Sequence, residues 1–279
     1  MNRTGRARLG QETLEIVERG WYENRQGDRV NVQQEIASCL EKTRLYRPED
    51  LETLKPTDQV TETGKTVFEV KNETTLESAS RLVVAEENKS VLALNFASAK
   101  NAGGGFLGGA QAQEESLARS SALYDSLISQ SDYYDANRAC GTCLYTDHMI
   151  LSPHVPVFRH DSGELRDEPY LLSFLTSPAV NAGAIKKNER PKIPQIRAVM
   201  ARRIQYVLNV ALENQYKTLV LGAWGCGVFR NDPAEIAELF SESLLNDPRY
   251  QNRFRKVTFA VLDNEQEKII APFRERFAA

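Results

Sequence analysis

Cysteine is scarce in this chain. The 279 residues hold four, Cys39, Cys140, Cys143 and Cys226, too few for a disulfide scaffold at this length. Cys140 and Cys143 have the spacing of half a zinc site or a redox pair, but no second such pair follows. The three histidines, His148, His154 and His160, lie six residues apart, which suits neither a helical i,i+4 metal pair nor a zinc finger. The expectation is ordinary semi-buried thiols, no metal and no organic cofactor. Long apolar runs are missing too. Nothing approaches the roughly 18 residues of a membrane span, and the basic start MNRTGRARLG is not followed by the apolar stretch of a signal peptide. Nor is there an excess of one charge: 35 Lys and Arg against 38 Asp and Glu leave −3. That argues against general adhesion to nucleic acid or an anionic membrane. The expectation is a cytoplasmic protein, large enough for one big domain or two small ones.

What is present is an alternation of strands and helices. Leu9, Thr13, Leu14, Ile16 and Val17 form a helical stripe that Gly20 ends. A second helix is expected over Val32 to Leu45, with Ile36, Cys39 and Leu40 inward, and a polar, mostly loop segment from Arg47 to Gly64. We read residues 1–60 as a helical extension packed on a main domain of residues 61–279. In that domain TVFEV, VLALNFA, MILSPHVPVF, YLLSFLTS, TLVLGAW and VTFAVLD are strand candidates. Pro153 and Pro156 place the third near an edge or a bulge. Thr74 and Glu77 spell a capping box, and Asp232-Pro233 an N-cap with proline after it. One helix is expected from about Gln113 to Ile128 and a long one through Ile196 to Ala211. The pattern implies an α/β fold with a largely parallel, buried sheet.

Two strand–glycine–helix units stand out: VLALNFASAKNAGGG before the Glu114 helix, and TLVLGAWGCGVF before the Asp232 helix. Backbone amides at the carboxyl ends of such strands, beside helix N-termini, suit a diphosphate. Neither loop contains glycine-lysine followed by serine or threonine, which disfavours a P-loop nucleotidase. Gly225-Cys226-Gly227 lacks the third glycine of a dinucleotide fingerprint. Glu114 and Glu115 follow the first loop. Neighbouring helix positions point about 100° apart, so the two cannot do one job. Acidic residues at a helix start also simply complement the helix dipole. A general acid here needs burial and a bound diphosphate to counter that dipole, which lowers a carboxylate's pKa. Two adjacent carboxylates make a poor opposed pair for an inverting glycosidase; one glutamate acting as acid and then as base fits better.

Gly103-Gly104-Gly105, seven intervening residues and Gln113-Glu114-Glu115 resemble the signature of poly(ADP-ribose) glycohydrolases, and the flanking text resembles the compact bacterial type. The resemblance spans about Thr66 to the C-terminus, with the N-terminal helices as a short extension. It implies a macrodomain: a three-layer α/β/α sandwich with a mixed, largely parallel sheet and an ADP-ribose cleft at its crest. It implies cleavage of ribose–ribose O-glycosidic bonds from the free chain end, releasing ADP-ribose and sparing the bond to protein. Glu115 would be the acid that protonates the leaving 2′-oxygen, and Glu114 would hold ribose hydroxyls. Asn101 and Gln113 would contact or support the ribose region. Gly103, Gly104 and Gly105 would approach the diphosphate, with Gly225, Cys226, Gly227 and Val228 as the second phosphate loop. Phe229 would pack on the terminal ribose. The implied partners are poly(ADP-ribose), ADP-ribose and poly(ADP-ribosyl)ated proteins, met by a monomer. Two readings stay open beside this one: a non-catalytic ADP-ribose reader and a hydrolase of mono-ADP-ribosylated protein. Trp224 reads as core rather than as a ligand platform.

Overall fold

The computed structural model describes residues 1–55 and 64–277. The boundary drawn at residue 60 and part of the loop expected over 47–64 lie outside these residues. The chain opens with α1 (Arg3–Arg19), the hairpin β1 (Trp21–Glu23) and β2 (Arg29–Asn31), α2 (Gln33–Lys42), β3 (Arg44–Tyr46) and α3 (Pro48–Thr53). It continues with β4 (Val67–Lys71), α4 (Thr75–Ser80), β5 (Val91–Phe96), α5 (Gln113–Ser120), α6 (Leu123–Ile128) and α7 (Ser131–Ala139). The long strands β6 (Met149–Arg159) and β7 (Leu165–Ser177) lead to α8 (Ala182–Asn188) and α9 (Ile196–Glu213). The last elements are β8 (Thr218–Leu221), α10 (Pro233–Ser241), β9 (Lys256–Ala260) and α11 (Ala271–Phe277).

Seven strands form one sheet in the order β3-β6-β7-β5-β8-β9-β4. Pairs from β7 to β4 are parallel, while β3 and β6 run antiparallel to their neighbours. Side chains alternate across the sheet, as a pleat requires. On β5, Leu92 and Leu94 face the core under α9 and α10, while Val91 and Ala93 face the opposite core, which holds Ile16, Leu76 and Leu117. The result is the expected three-layer, largely parallel α/β sandwich. Trp224 is fully buried in the first core. Because β5 and β8 are parallel neighbours, the loops leaving their carboxyl ends lie side by side.

Both cap readings hold. Thr74 accepts from the Glu77 amide at 3.0 Å while Glu77 returns a bond to the Thr74 amide, and Asp232 accepts from the Ala234 amide at 2.9 Å. Several boundaries differ from the sequence reading, and the strands expected to reach Trp224 and Asp263 stop at Leu221 and Ala260. The helix expected to Leu45 ends at Lys42, because residues 44–46 pair as an edge strand with β6. The residues after Arg47 are not all loop, since Pro48 opens α3. The single helix over 113–128 is two helices. Ser121 is extended, with φ −151° and ψ 174°, and bridges Val157, while the Ala122 amide donates to Pro156 at 3.2 Å. These contacts use the outer side of β6 beyond the short β3. The same strand carries a register shift between Ser152 and Val155, where the prolines pointed.

Candidate active site

Gln113 joins the start of α5 to the end of β5. Its Oε1 accepts from the Phe96 amide at 2.8 Å, and its Nε2 donates to the Leu94 carbonyl at 2.7 Å and to Thr75 Oγ1 at 3.1 Å. Its amide is thereby committed to the scaffold. Beyond β5 the Ser98 hydroxyl accepts from the amides of Lys100 and Asn101, at 3.4 and 3.2 Å, a serine turn. The Asn101 carbonyl then accepts from Gly104 at 3.0 Å, leaving the Asn101 side chain exposed. Gly103 and Gly104 have φ of +65° and +59°, a region that glycine enters freely. Gly104 has a second reason to be glycine: a Cβ there would lie 2.4 Å from Oε1 of Glu115. The Gly105 amide donates to that same oxygen at 3.0 Å.

The two carboxylates differ sharply. Glu115 is half-buried beside the glycine loop. Glu114 is only 2% exposed. Its Oε2 accepts from the Ser98 amide at 2.6 Å, and its Oε1 from Asn95 Nδ2 at a long 3.4 Å. Burial raises the Glu114 carboxyl to about 8. The Ser98 amide opposes this, the neighbouring Glu115 adds to it, and Asn95 and the Gly103 amide oppose it. The upward push expected of an acid in this motif therefore acts on Glu114.

The second loop is built on Asn231, which is buried. Its Nδ2 donates to the carbonyls of Val180 and Gly225, at 2.8 and 3.1 Å. Gly225 has φ +75°, and a Cβ there would meet both Ala179 and Asn231 at 2.5 Å. The amides of Gly227, Val228 and Phe229 have no acceptor among the described residues, and Val228 is 80% exposed. Phe229 packs on Tyr145, with ring centroids 6.0 Å apart. Cys226 lines a cleft beside this loop, and burial pushes its thiol up to about 12. Cys140 and Cys143 are free thiols. Glu189 holds their turn through the Cys143 amide at 2.8 Å and the Thr142 hydroxyl. Among the described residues, no group of three or more His, Cys, Asp or Glu is placed to hold a metal ion.

All the residues singled out in the two glycine loops and at the start of α5 thus gather at the carboxyl ends of β5 and β8. Beside the second loop and the start of α5 runs a cleft of about 390 Å³, with Phe96, Gln113, Cys226, Gly227, Leu262 and Ile269 in its walls. Asn95 and Ser98, which hold Glu114, carry no motif of their own. Two arginines of α1 also escape a reading of the sequence. Arg3 and Arg6 donate from Nε to the carbonyls of Gly108 and Gly109, each at 2.9 Å. Gly109 fits because it has no side chain: a Cβ would lie 2.1 Å from the Arg3 carbonyl oxygen. Thr13 ties the same helix to α5 through the Arg119 carbonyl at 2.6 Å. Only the Gly108-Gly109 pair could have signalled this contact.

The family model for the microbial-type PARG catalytic domain matches residues 10–160. A crystal structure of poly(ADP-ribose) glycohydrolase from Thermomonospora curvata is 45% identical, covers 98% of this chain and 100% of its own, and superposes with a TM-score of 0.91. The same enzyme bound to the inhibitor ADP-HPD gives a TM-score of 0.90, with the same identity and coverage. The poly(ADP-ribose) glycohydrolase of Deinococcus radiodurans in complex with ADP-ribose is 46% identical, covering 86% of this chain and 96% of its own, at a TM-score of 0.79. No curated protein matches the chain. No helix among the described residues is long and apolar enough to cross a membrane.

Proposed function

The chain belongs to the microbial-type poly(ADP-ribose) glycohydrolases, and we propose that Glu115 is the acid with which it breaks the ribose–ribose bond. The protein is a glycosidase acting on poly(ADP-ribose). The observation that carries the role of Glu115 is its placement. One oxygen is fixed by the Gly105 amide, and the neighbouring Gly104 offers no side chain to cover it.

The terminal ADP-ribose lies in the cleft. Its diphosphate meets the unused amides of Gly227, Val228 and Phe229 on one side and the Gly103–Gly105 backbone on the other, an arrangement suited to an anion. Cys226 contributes cleft wall rather than chemistry. Phe229, supported by Tyr145, packs on the distal ribose and sets its angle, and Asn101 contacts the same sugar. Glu114 Oε1, which has a long 3.4 Å bond from Asn95, takes a ribose hydroxyl. Gln113 supports the region by holding β5 and α5 together. Glu115 gives its proton to the leaving 2′-oxygen as the C1″–O bond breaks. The oxocarbenium-like sugar is then attacked by water, whose proton returns to Glu115. The charge of the bound diphosphate favours a proton on the carboxylate pair. Because the cleft encloses one unit, chains are trimmed from their free end, ADP-ribose is released, and the bond to protein is left. The proposal includes action as a monomer in the cytoplasm on poly(ADP-ribosyl)ated proteins.

The test is incubation of wild type and Glu115→Gln with long poly(ADP-ribose), with products resolved by size. The variant is expected to lose about 10²- to 10⁴-fold in rate, the range of a general acid. Equal cleavage by both proteins would remove Glu115 from the centre. Binding of ADP-ribose without cleavage by either would restore the reader interpretation.

A further inference from the structure

A second hollow lies between α4 and the hairpin that joins β6 to β7. It measures about 380 Å³, enough for a small ligand. It contains no residue of either glycine loop and none of α5, and shares only Leu76 and Asp161 with the cleft. Its two acids, Asp161 and Glu77, are both engaged by Thr74. The Thr74 hydroxyl donates to Asp161 Oδ2 at 2.6 Å, and the Thr74 amide to Glu77 Oε2 at 2.8 Å.

Two of its cations are under-compensated. Arg159 lines the hollow with 2% of its side chain exposed. Its Nη1 donates to the Gly163 carbonyl at 2.8 Å and its Nη2 stands 3.4 Å from a Glu12 oxygen, but its Nε has no hydrogen-bond partner among the described residues. A buried charged donor left unpaired is costly. Arg166 has no carboxylate partner among the described residues. It lies over the Tyr170 ring, 4.8 Å from its centre, and donates from Nη1 to His160 Nδ1 at 3.2 Å. Arginine offers no acceptor, so Nδ1 accepts and the His160 proton sits on Nε2, a further donor. Arg81, by contrast, is held by Glu69, Glu73 and Glu86. The remaining wall is apolar, with Leu76, Val84 and Ala85, and Val84 is 50% exposed. Cationic forks beside an apolar shelf suit a phosphate monoester on a flat, weakly polar body.

We infer that this hollow binds a nucleoside monophosphate. The phosphate takes the guanidinium groups of Arg159 and Arg166, and the base lies along Leu76, Val84 and Ala85. Such a site is separate from the one that holds the terminal ADP-ribose and does not depend on the glycohydrolase assignment.

The test is titration calorimetry with AMP on the full chain. Leu262→Asp places a carboxylate in the wall of the cleft and suppresses AMP binding there, so this variant is the background. It is expected still to take up one AMP. Adding Arg166→Gln is expected to weaken that site about tenfold or more, the size of a hydrogen bond to a charged group. Adding Val84→Asp, at an exposed position, is expected to weaken it similarly through repulsion of the phosphate. Adenosine, which lacks the phosphate, is expected not to compete. No AMP uptake by Leu262→Asp, an affinity unchanged by both additions, or competition by adenosine as strong as AMP's own binding overturns the site. Polymer cleavage by wild type, measured separately, reports on the glycohydrolase assignment, so the two can fail independently.

Discussion

A methyl group on Gly104 would stand 2.4 Å from Oε1 of Glu115, so the glycine and the carboxylate compete for one space. The positive φ at Gly104 adds a second penalty. Gly104→Ala is expected to lose about 1–2 kcal/mol of stability from the left-handed backbone alone. On the proposed mechanism turnover should fall much further, by about 10²-fold, through displacement of the Glu115 carboxylate. Thermal melting and polymer cleavage on the same preparation check both. Wild-type turnover in the variant would show that Glu115 does not work from this position.

Glu114 predicts the pH dependence of stability. Its folded carboxyl titrates at about 8 against an ordinary 4.5. The folded protein therefore keeps a proton that the unfolded chain releases, and stability falls as pH rises through that window. Glu114→Gln removes the effect. The Tm of wild type relative to the variant should decline from pH 4.5 to 8 and then level off. Parallel Tm profiles would contradict the raised carboxyl.

Arg3 and Arg6 hold Gly108 and Gly109 from outside the cleft. The double change to alanine removes two hydrogen bonds to the loop and no group from the substrate. A hydrogen bond contributes about 1 kcal/mol, so kcat should fall about 3- to 10-fold with KM within about twofold. A rise in KM with kcat preserved would assign the arginines to binding instead.

Phe229 rests on Tyr145, so its ring is held before any sugar arrives. On the proposed mechanism Phe229→Ala reduces kcat about tenfold or more, because a ribose without that ring meets Glu115 at the wrong angle. ADP-ribose affinity, measured by titration calorimetry, should weaken by a smaller factor. Matching losses in kcat and affinity would mean that the ring only binds.

Much of this site was legible because its signals are local. A glycine run, a capping box and an N-cap with proline depend on residues within one or two turns: Thr74 and Asp232 cap their helices, and the glycine run lies against Glu115. The break at Ser121 was not legible, since its cause is Val157 on a distant strand. Leu45 looked helical for the same reason: its partner in β6 is Ile150. Leu76, Arg159 and Arg166 carry no shared motif, and only the packing of α4 on the β6–β7 hairpin brings them together. Burial of Glu114 depends on Asn95 and Ser98, whose roles follow from the bend after β5.

The bonds from α1 to the glycine loop join positions 105 and 103 residues apart. On a ribosome, the helix emerges long before the carbonyls it will hold. A free helix of 17 residues is marginal in water, and the entropy of closing so long a loop must be met before the contact is rewarded. The glycine loop is therefore ordered late, by an earlier-made part of the nascent chain turning back onto it. On refolding, secondary structure should return before enzymatic turnover does.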